Sequence, residues 1–200
     1  TVFRAGAQTV GMTTETLNIA TVASDPTFAI VAENASIGNG DPTFGNILLT
    51  ARKLGCYFTA SRELAEDSVN FAQQIDGLLT ASLAAEIDRQ CLMGGSGSEF
   101  NGLNVRSEVT EQSSVGSPVY DDLMDSWQTL TEANCPDDNL SYVLCPRDAT
   151  TLSKLIGSTT MEYIAPPREV AAMTRYVSSS IPRTLGGGSN ESVAFVGDVR

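Results

Sequence analysis

The side chains best able to do covalent chemistry are Cys56, Cys91, Cys135 and Cys145, together with the serines of Gly94-Gly-Ser-Gly-Ser98. Nucleophilic sites of the Ser/His/Asp or Cys/His kind need an imidazole or a substitute base, and the chain has no histidine. The serine stretch lacks the G-x-S-x-G bracketing of a nucleophile elbow and follows a predicted helix instead of a strand, so it reads as linker. The cysteines are far apart and form no CxxC pair, which excludes zinc sites of the usual Cys/His spacing. Four reduced thiols serving as small core hydrophobes are expected, with a Cys135–Cys145 bridge as the alternative.

Acids are the remaining chemical resource. Asp121, Asp122 and Asp125 fall in the first turns of a predicted helix, where they meet the positive end of its macrodipole. Asp137 and Asp138 follow Pro136 in a turn and lack the further ligands of a calcium loop. A hydrolase working through paired carboxylates is the competing class, and it needs two acids with raised pKa in one pocket. No such pair is visible in the sequence. No P-loop and no G-x-G-x-x-G between strand and helix occurs either, so no cofactor and no metal is expected.

The elements that would position these groups fall into two regions. Residues 13–60 are β-like: Leu17 and Ile19 alternate with Asn18 and Ala20, and Leu54, Cys56 and Phe58 share one face at period two. Between these runs, residues 33–44 carry Gly38, Asn39, Gly40 and Pro42, which predicts a long hairpin with a polar tip. The tetrapeptide Asp-Pro-Thr-Phe occurs at 25–28 and 41–44, a repeated piece of turn chemistry. The adjacent bases Arg52 and Lys53 sit on the returning arm, where they either meet an acidic neighbouring subunit or blunt a strand edge. Ser61 caps a short turn over 62–67, and Ser68 caps the longest predicted helix, 69–93, ended by Gly94-Gly95. Its apolar residues Ala72, Ile75, Leu79, Leu83, Ile87 and Cys91 are read as one buried stripe, with Arg89 and Gln90 off it.

A second region begins near Pro118. The spacing predicts an amphipathic helix over 119–133 with Leu123, Trp127 and Leu130 inward, a turn at 136–139 and a buried strand over 141–145. A helix over 147–156 with Leu152, Leu155 and Ile156 follows, then strands near 176–182 and 192–197.

Net charge is −12, from 24 acids and 12 bases, so no positive field would collect nucleic acid. No run approaches the apolar length of a membrane span, and the N-terminus lacks signal-peptide order; a cytoplasmic site of synthesis is expected.

Several short segments, in this order and spacing, resemble the major capsid proteins of tailed bacteriophages and prophages, the family with the Hong Kong 97-type shell fold. They are Ile30-Val-Ala-Glu-Asn34 with Asp41-Pro-Thr-Phe44, Ala60-Ser-Arg-Glu-Leu-Ala-Glu-Asp-Ser68, Leu92-Met-Gly-Gly-Ser-Gly97 with Asn101-Gly-Leu103, Val143-Leu-Cys-Pro-Arg-Asp148, and 193–198. The resemblance implies an α+β capsid fold. Residues 1–117 would form a peripheral part with an extended hairpin arm at 13–60 and a spine helix at 68–93, and residues 118–200 a compact α/β axial region. By the same resemblance Glu33, Asn34, Asp41, Thr43, Phe44, Arg52 and Lys53 are arm residues in contact with a neighbouring subunit, and Ala72, Ile75, Leu79, Leu83 and Ile87 form the core of the spine.

The implied function is a non-enzymatic one, self-assembly through pentamers and hexamers into an icosahedral shell around packaged DNA that is not specifically bound. Scaffold, portal and maturation protease would be partners, the virion the final location, and the bacterial host cytoplasm the place of assembly. Encapsulin compartments have a similar fold and are the nearest alternative. The arm tip has no lysine, which argues against covalent cross-linking of the kind found in some members. Relative to the family pattern, the chain is expected to be truncated at both ends.

Overall fold

The computed structural model describes residues 1–61, 70–95, 97–112, 116–157, 161–187 and 190–198. They divide into two compact units, Thr9–Tyr57 and the combination of Thr1–Gln8 with Phe58–Arg200. Within the larger unit Leu92 clusters with Val143 and Cys145.

The smaller unit is an antiparallel hairpin of β1 (Thr16–Ser24) and β2 (Thr43–Thr50). The register Leu17↔Leu49, Ile19↔Ile47 and Val22↔Phe44 puts the half-buried Leu17, Ile19, Ile47 and Leu49 on one face and the exposed Val22, Phe44 and Leu48 on the other. Both Asp-Pro pairs stand just outside the strands, since a proline in line with a strand has no N–H for the ladder. Pro26 follows the end of β1 and Pro42 precedes β2.

The expected continuation of the returning arm over residues 51–60 does not form a strand. Its last ladder bond runs from the Ala51 N–H to the Glu15 carbonyl at 2.8 Å, and among the described residues no strand pairs with Leu54, Cys56 and Phe58.

In the larger unit a short helix, α1 (Val2–Ala5), precedes the long α2 (Phe71–Met93). The expected turn at 62–67 and the Ser68 cap lie outside the described residues. Helix α3 (Tyr120–Glu132) follows, its N-terminus held by Asp122, whose carboxylate accepts the Val119 N–H at 2.9 Å. Then come β3 (Leu140–Leu144), α4 (Pro146–Ser153), α5 (Arg168–Ala172), β4 (Thr174–Val177) and β5 (Phe195–Asp198).

The sheet order is β4-β3-β5, with β3 parallel to β4 and antiparallel to β5. Every residue of β3 is buried, as expected of a central strand covered on both faces. Leu140, Tyr142 and Leu144 pack against Leu123 of α3, Ala149 and Leu152 of α4 and Val170 of α5. Val143 and Cys145 point the other way, toward Val2, Leu92 and Ile181. Trp127 and Leu130 lie against the first cluster, as expected, whereas Ile156 is half exposed because α4 ends at Ser153 and Ile156 instead bridges to Tyr163.

The spine stripe is corrected by the structure. Ala72, Leu79 and Leu83 are exposed, Ile75 and Ile87 are only half-buried, and Gln90, expected off the stripe, is buried. Steps of four residues overshoot a full turn by about 40°, so a strict run from Ile75 to Cys91 winds about 160° around the helix and cannot keep one face. Burial along α2 is concentrated after Ala85, at Gln90 and Leu92.

The cysteines are unpaired: Cys145 is buried, Cys91 and Cys135 are half-buried and Cys56 is exposed, so Cys56 is no core residue.

Candidate assembly surfaces

The arm residues singled out from the sequence share one structural unit, Glu33, Asn34, Asp41, Thr43 and Phe44 at the tip of the hairpin and Arg52 and Lys53 past its other end. Thr43 and Ser24 hydroxyls meet at 2.7 Å across the first rung, and the Thr43 N–H donates to Ser24 Oγ at 3.3 Å. Asp41 accepts from Asn39 Nδ2 at 2.7 Å. Asn34 takes a left-handed backbone with φ of 64°, one of the few conformations in which asparagine is favoured over other non-glycine residues. A Cβ on Gly40 would stand 2.2 Å from the Thr27 carbonyl oxygen, so the tip folds back closely on the segment after β1. Arg52 and Lys53 lie beyond β2, exposed and off any strand, which removes the edge-blunting role considered for them.

What distinguishes the arm is its apolar load. Phe28 is 93% exposed, Ile37 83% and Phe44 72%, and Ile30 and Tyr57 are also almost bare. Leu78, Leu79 and Leu83 present a second exposed apolar row on α2. Large apolar side chains left exposed in such number mark candidate sites of association.

Two polar knots fix the larger unit, and sequence reasoning missed both. At the end of α2, Arg89 donates Nε to Glu86 Oε2 at 2.9 Å and Nη2 to Glu86 Oε1 at 2.7 Å and to Glu99 Oε1 at 2.9 Å. Gln90 donates to Glu86 at 2.9 Å and accepts the Phe100 N–H at 3.2 Å, while Glu99 accepts the Gly95 N–H at 2.8 Å. The loop read as linker is thereby tied to the helix.

Hydrogen bonds from Arg89 first, and then from Gln90, bring the Glu86 carboxyl from 4.5 down to about 2. The Glu99 carboxyl is likewise lowered, chiefly by Arg89. A general acid needs the opposite shift, so these carboxylates are structural anchors and the hydrolase reading is not favoured.

The second knot joins α4 to the segment before β5. Arg147 donates to the Asn190 side chain at 2.8 Å and to Ser192 Oγ at 2.8 Å, and the Ser192 hydroxyl donates to Asp148. Cys145 Sγ accepts the Asp148 N–H at 3.5 Å, and Pro146 occupies the first helical position, where its missing N–H costs nothing. The segment Val143 to Asp148, noted above for its wording, is thus a strand end, a cap and an anchor in succession.

Among the described residues no group of histidine, cysteine and acids is arranged to hold a metal ion, and no helix is long and apolar enough to cross a membrane.

Residues 1–196 match the model of the phage capsid family. The chain belongs to that family. Its role is therefore structural, and its place is the virion capsid.

The fold agrees. The capsid of a native GTA particle computed with C5 symmetry superposes with a TM-score of 0.74 at 15% identity, over 99% of this chain and 73% of that one. A chain from Mycobacterium phage Ogopogo gives 0.73 at 15% identity with the same coverages, and one from Gordonia phage Cozz gives 0.60 at 16%, over 99% and 68%. At such identities the likeness is one of fold, the α+β capsid fold. A comparison with curated proteins finds no match. In a structural subunit of a capsid, the exposed apolar rows are the candidate assembly features.

Proposed function

We propose that this capsid protein is a tile that self-assembles, through pentamers and hexamers, into a closed icosahedral shell around phage DNA. The observation that supports it most is the exposed apolar load of a hairpin whose strands, among the described residues, pair only with each other. A two-stranded hairpin is marginal by itself in water. In a shell, the side chains Phe28, Ile37 and Phe44 are covered by a neighbouring copy, as are Leu79 and Leu83 of α2.

On this reading residues 1–117 make up a peripheral part with arm and spine, and residues 118–200 an axial part near the symmetry axes. Glu33, Asn34, Asp41, Thr43 and Phe44 form the reaching tip, and Arg52 and Lys53 meet acids of a neighbour. The net charge of −12 fits a container that confines DNA without binding it specifically. Assembly takes place in the host cytoplasm with a scaffold, a portal and a maturation protease as partners.

The test is the triple variant Phe28→Ser, Ile37→Ser and Phe44→Ser. None of the three is buried, so the thermal melt stays close to wild type while particles disappear from electron micrographs. Normal particles from the triple variant would refute the arm's role.

A further inference from the structure

An open groove of about 370 Å³ runs between α4 and the edge strand β4. Arg175 and Val177 of β4 are register partners of Tyr142 and Leu144, so they extend the core-facing side of the sheet beyond the point where helices cover it. Val177 is 45% exposed. On the other wall, Pro146, Thr150 and Ser153 follow at helical spacing along α4. The rim carries Lys154 and Arg175, and Arg175 Nη1 donates to Ser153 Oγ at 3.3 Å. Among the described residues neither cation forms an ion pair. In a chain with twice as many acids as bases, two exposed cations over an apolar floor are an unused recognition element.

We propose that this groove takes the acidic first turns of α3 from a second copy of the chain, with Asp121 and Asp125 of that copy facing Lys154 and Arg175. Both aspartates are exposed and stand four residues apart, so they project from one side of α3 about 6 Å apart along its axis. Val119, exposed just before them, supplies an apolar group for Val177. Asp122 is excluded from the pair because it caps its own helix.

The topology gives the contact its direction. The groove is walled by α4 and β4, whereas α3 packs on α5 and β5, so the two halves of the contact are different surfaces of one copy. Such a contact is heterologous and repeats from copy to copy, which is the condition for a ring. The inference rests on the shell reading above and adds which surfaces meet around the ring.

Charge reversal tests it in the protein expressed from its complete gene, with wild type as control. Lys154→Glu with Arg175→Glu lowers particle yield by about tenfold or more, because like charges then face each other, and Asp121→Lys with Asp125→Lys does the same. The fourfold variant carrying both reversals restores opposite charges and recovers particles. Thermal melts establish that each variant is folded; should the groove reversal unfold, Lys154→Gln with Arg175→Gln is read for the same loss.

Undiminished particles from the groove variant overturn the proposal while leaving the shell reading intact. Loss without recovery in a folded fourfold variant also overturns it, since another occupant, such as a different acidic segment or DNA phosphate, then fills the groove. If wild type itself forms no particles, the shell reading falls, and this contact with it.

Discussion

Arg89 shows how one side chain holds the end of a helix that has few other restraints. Its guanidinium fork serves Glu86 and Glu99 together, and both carboxylates are more acidic than usual as a result. A lowered folded-state pKa stabilises the fold above the ordinary carboxylate value of 4.5, and that contribution fades as pH falls toward about 2. Melting of wild type and of Glu86→Gln should therefore differ at neutral pH and converge in acid. Because the groups are more than a third exposed, the neutral-pH difference is at most about 1 kcal/mol.

A sharper residue effect is expected at Gly94, where a Cβ would stand 2.3 Å from the Phe100 carbonyl oxygen and 2.4 Å from that of Gln90. Both obstacles are backbone, so Gly94→Ala should destabilise by about 1–3 kcal/mol in denaturant unfolding. A melt equal to wild type would show that the chain turns more freely there. The sequence marked Gly94 as a helix stop, but neither its crowding nor the role of Glu99 was legible, since both depend on a chain reversal that brings residues 99–102 back to the helix end.

At the scale of elements, the region after residue 118 was the readable part. The helix at 120–132 carries a regular apolar period and the strand at 140–144 a nearly continuous apolar run, because the one buries a face and the other both faces within this chain. The spine helix was legible in extent but not in orientation: a run at steps of four looks like a stripe in sequence, yet it winds around the helix. Likewise the alternation over residues 54–58 had no strand to pair with. In both places apolar side chains are left exposed among the described residues, as expected where the covering surface belongs to another subunit.

This separates two kinds of leucine. Leu144→Ala, in the central strand, should cost about 2–5 kcal/mol of stability. Leu83→Asp, 49% exposed on α2, should leave the melt nearly unchanged and yet prevent assembly. Unfolding of the Leu83→Asp chain would mean that α2 is covered from within.

For the whole molecule, the folded unit and the assembling unit differ. A sheet sandwiched between helices on one face and the end of the spine on the other supplies stability, and the polar knots at Arg89 and Arg147 fix the segments that leave it. The hairpin carries apolar side chains that this chain leaves in water. Such a division suits a subunit whose folding is local and whose function is collective. Electron microscopy of the protein expressed from its complete gene and purified without other phage proteins tests this most directly: uniform closed shells of megadalton mass are the predicted result, and a monodisperse monomer at every concentration tried would contradict it.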